Sequence, residues 1–137
     1  MKPRGLLRDE RGSASVLILG LCFALLAAVG IAVDGTRKGM AYSQATAIAE
    51  EAARAGAQAV HAHALAHGID ADVEPAIAEA EARRYVASSG ATGIARADER
   101  EVVVDAVITR TTIFLGSVGI AEFTVHGHGA AVLVSAD

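Results

Sequence analysis

The hydrophobic pattern of this chain changes period twice. From Ser13 to Val33 the sequence SASVLILGLCFALLAAVGIAV contains no charged residue. A helix rises about 1.5 Å per residue, so this segment is long enough to cross a hydrocarbon core of roughly 30 Å. Beyond Gly39, small apolar residues recur on a 4-3 spacing at Ala41, Ala45, Ile48, Ala52, Ala55, Ala59, Ala62 and Ala66. That spacing lays a narrow seam along one helix face and lets another element approach closely. The two patterns predict helix from about Ser13 to His67, with Asp34–Gly39 as the place for a bend.

Gly68 fits a C-cap, and Asp70 or Asp72 fits the N-cap of a second helix with Pro75 in its first turn. This helix runs through EPAIAEAEARRYVASSG to about Gly90, packing through Ile77, Tyr85 and Val86. By composition Ser88–Arg100 reads as a loop. From Arg100 the period becomes two: Val102, Val104, Ala106 and Ile108 share one side of a Val- and Ile-rich strand. A second strand covers Phe123–Ala136, with Phe123, Val125, Gly127 and Gly129 on one face and His126 and His128 on the other. Between the strands, TTIFLGSVGIAE at Thr111–Glu122 reads as a short helix or loop covering one sheet face. Two strands are marginal in water and must pack on the helices. The expected fold is α+β: a long N-terminal transmembrane helix continuing into an Ala-rich helix, a second helix, and a small C-terminal antiparallel sheet.

Flanking charge sets an expected orientation. Lys2, Arg4, Arg8 and Arg11 precede the apolar segment, and only Arg37 and Lys38 follow it closely, which favours a cytoplasmic N-terminus and an extracytoplasmic remainder. The implied organisation is a basic leader over 1–12, a transmembrane helix over 13–33 and one small domain over 34–137. Two other readings stay open. A cleaved secretory signal would have a shorter apolar core, with Ala28–Gly30 or Gly30–Ala32 as the cut. A core helix of a soluble protein would need more chain to wrap it on every side.

Composition narrows the chemistry. A net charge of −4, without a basic stripe, argues against nucleic acid. With no Trp, three Phe and two Tyr, the core is built from small side chains and buries little area per residue, which asks for partners. Cys22 lies mid-segment and reads as a small apolar side chain in lipid. His63 and His67 sit at metal-ligand helical spacing, and with His126 and His128 they could close a four-His site; solvated surface histidines are the simpler reading. The serines lack a nucleophile elbow, and Gly127–Gly129 has no following phosphate-binding helix. The residues therefore indicate no enzyme, no cofactor and no small-molecule substrate. A tethered or secreted ligand- or metal-binding module using the histidines is the alternative to a structural subunit.

The residues RDERGSASVLILGLCFALLAAVGIAVDGTRK, followed by QATAIAEEAARAGAQAV, resemble the TadE/TadG-like proteins of the bacterial Tad (Flp-type) pilus assembly system. The resemblance is close over Arg8–Val60 and looser through the tail. It implies a pilin-like protein anchored in the cytoplasmic membrane, with other pilin-like subunits, assembly-platform proteins and the lipid bilayer as partners. Some members are pseudopilins cut after a glycine preceding the apolar helix, and the matching junction here is Gly12–Ser13. Pilin-type processing usually accompanies a Glu five residues after the cut, where this chain has Leu17. A buried Glu in a filament core needs a partner, often the new N-terminal amine, so its absence favours an uncut anchor over incorporation.

Overall fold

The computed structural model describes residues 10–67 and 74–133. The chain is α+β, as its periodicity predicts. Helix α1 spans Glu10–His67 and α2 spans Pro75–Ser88; strands β1 (Thr92–Ala97), β2 (Glu101–Thr111) and β3 (Glu122–Val132) follow, with a short 3-10 helix at Leu115–Val118 between β2 and β3. The sheet is antiparallel with β2 in the centre.

The 58 residues of α1 make a rod roughly 85 Å long. Its two halves have different surroundings. In the N-terminal half Val16, Leu17, Leu19, Phe23 and Leu26 are exposed, Phe23 to 75%. From Ala41 onward one face is buried against β3, β2 and α2. Helix continues without interruption through Asp34–Gly39, although interior glycine costs about 1 kcal/mol against alanine. Tertiary docking on both sides of the junction offsets that cost.

Helix α2 starts later than its sequence suggests. Its N-cap is Glu74, in extended backbone and without a side-chain cap, rather than Asp70 or Asp72, which with Gly68 lie outside the described residues. Pro75 takes the first helical turn, where its missing N–H has no intrahelical acceptor to lose. The buried stripe is Ala78, Ala82 and Val86, whereas Ile77 and Tyr85 are only half-buried. Small residues sit inside because the helices cross closely: a Cβ at Gly56 would come within 2.7 Å of the Ala78 carbonyl oxygen.

The segment read as a loop, Ser88–Arg100, contains a strand. Gly90, at φ +70°, turns the chain out of α2 into β1, whose residues pair from Thr92↔Val107 to Ala97↔Val102. TGIARA is a poor strand by propensity, and only Ala95 in it is buried; pairing with β2 overrides that preference. The edge is also held by α2, since Glu79 accepts the Ala97 N–H at 3.1 Å and Arg83 donates to the Ala95 carbonyl at 3.3 Å. A tight turn links β1 to β2, with the Asp98 carboxylate accepting the Arg100 and Glu101 N–H groups at 2.7 and 2.9 Å.

Val102, Val104, Ala106 and Ile108 are buried on the helix-facing side of β2, with Ala95 from β1 and Val125 from β3. On β3, the alternation places Gly127 and Gly129 against α1. A Cβ at Gly127 would overlap the Ala45 carbonyl carbon and the Thr46 nitrogen, and one at Gly129 would overlap Ala49 and Glu50 backbone. Helix backbone therefore lies directly on strand backbone, which explains both the glycines of β3 and the alanines of α1. The connection Thr111–Glu122 does not cover a sheet face as expected. It leaves the end of the sheet and runs along the apolar half of α1.

Candidate functional site

The functional junction forms where α1 leaves its exposed apolar half. Asp34 closes the uncharged stretch and is 2% exposed, the one buried charged or polar residue among those described. Its carboxylate meets the β2–β3 connection. Oδ1 accepts the Ile113 N–H at 3.0 Å; Oδ2 accepts the Phe114 and Leu115 N–H groups at 3.0 and 2.8 Å. These donors lie at and just before the start of the 3-10 helix, so the aspartate caps it from another element. The Ile113 N–H contributes most to holding the Asp34 carboxyl below its ordinary value, followed by Leu115, then Phe114 and the charge of Arg37; burial pushes the other way and is outweighed.

The capped connection lies beside the span. Phe114, Leu115, Ser117 and Val118 line an open groove of about 400 Å³ together with Phe23, Leu26, Ala27, Gly30 and Ile31 of α1. Gly30 permits the approach, since a Cβ there would come within 2.9 Å of Phe114 Cβ. On the other side of Asp34, Arg37 and Arg110 border a shallow hollow with Gln44, whose Oε1 accepts from Arg110 at 3.3 Å. Apolar surface thus gives way to basic surface within about one helical turn of Asp34.

The other candidate residues are placed as follows. Gly12 and Ser13 lie within α1, exposed, with open space around Gly12. Of the seam, Ala41, Ala45, Ile48 and Ala52 are buried, Ala55 and Ala59 half-buried, and Ala62 and Ala66 exposed. The buried stripe passes instead through Ala49, Ala53, Gly56, Ala57 and Val60, because a helix of 3.6 residues per turn drifts away from a 3.5 repeat. The chain's own sheet and α2 cover that stripe. Cys22 is exposed on the apolar half.

The described histidine side chains of α1 and of β3 form no common metal site. His126 and His128 occupy the sheet face turned away from α1, where His128 Nδ1 lies 2.9 Å from Asp105. His63 is exposed on α1, and the His67 side chain lies outside the described residues. Among the described residues no three His, Cys, Asp or Glu side chains converge.

Asp34 and its loop were missed by motif reasoning. The available signals were the one acidic residue ending a long uncharged run and a second uncharged, glycine-punctuated run over Thr111–Ala121. α1 is long and apolar enough to cross a membrane, consistent with single-pass anchoring. Residues 12–59 match the Tad family model, described as "Putative Flp pilus-assembly TadE/G-like". No curated protein and no solved structure matches the chain significantly. The matched segment holds the whole apolar half of α1, Asp34 and much of the buried alanine stripe, and over 12–59 this chain is similar to that Flp pilus-assembly family.

Proposed function

We propose that this chain is a pilin-like subunit or accessory protein of a Tad/Flp-type pilus or related secretion machinery, anchored by an uncut N-terminal helix. Its leader over 1–12 is cytoplasmic, 13–33 crosses the membrane, and 34–137 forms the extracytoplasmic domain. It acts through protein–protein contacts and performs no catalysis. One observation carries this reading: the family match over 12–59 falls on the helix whose first half is exposed and apolar and whose second half is the spine of the folded domain. An exposed uncharged helix of this length is unfavourable in water and favourable in lipid.

The domain covers its own alanine stripe, so partner contacts fall to the exposed apolar half of α1 and the outer sheet face. Leu17 keeps the span free of charge, which suits permanent residence in lipid better than a filament core organised around a buried Glu. Deletion of the gene in its native host tests the role. Loss of surface pili or of the machinery's secreted product, restored by the intact gene, is the expected result. Normal piliation and secretion, or stoichiometric zinc in the purified protein lost on His63→Ala, would overturn it.

A further inference from the structure

We infer that the β2–β3 connection, Thr111–Ala121, is a second membrane-inserted element that enters the same leaflet as the outer half of the span and is clasped to it by Asp34. This rests on the anchor reading and adds to it a site for lipid. Three observations converge. The connection carries no charge from Thr111 to Ala121, and Ile113, Phe114, Val118 and Ile120 are exposed, Val118 to 73%. It lies alongside Phe23–Ile31 of the span, so a bilayer that takes up those residues also reaches the loop.

The third observation makes insertion into lipid physically permissible. Irregular backbone enters hydrocarbon only when its polar groups are satisfied, because each bare group costs several kcal/mol there. Ile113, Phe114 and Leu115 donate to Asp34. Thr112 N–H donates to the Ala121 carbonyl, Ser117 to Phe114, Gly119 to Gly116 and Ile120 to Leu115. The Thr112 hydroxyl also reaches the Ile120 and Ala121 carbonyls. Behind the loop, Arg37 and Arg110 border one hollow, a basic pair that the inserted loop would bring to the phosphate headgroups. The occupant is therefore the bilayer: acyl chains around Phe114, Val118 and Ile120, and headgroups against the arginines.

The test uses the full chain in nanodiscs of phosphatidylethanolamine and phosphatidylglycerol, some with brominated acyl chains. In a Cys22→Ser background, an environment-sensitive fluorophore is attached at Val118→Cys, at Leu25→Cys in the span, or at Ile94→Cys on the sheet edge. Blue-shifted emission quenched by bromine at Val118 and Leu25, with Ile94 open to aqueous iodide, supports the inference. Quenching at Leu25 with Val118 as open to iodide as Ile94 overturns loop insertion and leaves the anchor standing. A Val118 probe shielded from both quenchers means a protein covers the loop, which also overturns it. Failure of bromine to quench Leu25 removes the anchor reading itself.

Discussion

The Leu115 N–H and the Asp34 carboxylate, 81 positions apart in the chain, are joined by a 2.8 Å hydrogen bond. With the bonds from Ile113 and Phe114 it fastens the far end of the sheet to the point where α1 leaves its apolar half. Asp34→Asn keeps one acceptor oxygen and turns an NH2 toward N–H donors, and Asp34→Ala keeps neither oxygen. Hydrogen–deuterium exchange should accelerate at Ile113, Phe114 and Leu115 in both, more in the alanine variant, while β1 and β2 stay protected. Unchanged protection at those amides would mean the carboxylate does not hold the loop.

The same clamp is acid-sensitive. Bonding to the ionised form holds the folded-state carboxyl below its ordinary value of 3.8. Its contribution is therefore complete above the unfolded value and is lost as the pH falls through the lower folded one. Asp98, lowered by the Arg100 and Glu101 N–H groups, loosens the β1–β2 turn in the same direction, so a global melting curve mixes the two. Protection factors at Leu115 should fall on acidification in the wild type, and this dependence should vanish in Asp34→Asn.

Close packing of Gly127 on α1 gives a sharper energetic expectation. A Cβ there meets helix backbone at Ala45 and Thr46, which cannot rotate aside as a side chain would. Gly127→Ala should destabilise the domain by about 1–3 kcal/mol, as overpacked cores do. His126→Ala, next to it but on the exposed face, should stay within about 0.5 kcal/mol of wild type. Denaturant titrations monitored by circular dichroism distinguish the two.

Thr46 offers a change in the other direction. Its hydroxyl is buried and has no hydrogen-bond partner among the described residues, and such a group costs roughly 1–3 kcal/mol. Thr46→Val keeps the shape and removes the polar atom. A gain of about 1 kcal/mol in the same titration is expected; a loss would show that the hydroxyl finds a partner in solution.

Much of the architecture was legible because it rests on periodicity. The uncharged run marked the exposed apolar half of α1, and alternation through Val102–Ile108 gave the inner face of β2. The β1 strand was not legible, since TGIARA has no alternation and owes its conformation to pairing with β2 and to Glu79 and Arg83. The alanine seam was read on a 3.5-residue repeat, whereas the straight helix carries burial over to Ala49, Ala53 and Ala57. Asp34 escaped notice because its partners are main-chain N–H groups, which leave no residue-type signature in the sequence. The long-range closure of Thr111–Glu122 onto α1 had no local signal beyond its lack of charge.

Intact-mass measurement with N-terminal sequencing, on protein taken from native membranes, tests most directly whether Ser13–Val33 is retained as the anchor. A chain beginning at Met1 is the expected result; one beginning at Ser13 would contradict the uncut anchor and show pilin-type processing, although the apolar helix would be kept. A chain beginning near Ile31 or Val33 would contradict the anchor, because the apolar half of α1 would then have been removed on export.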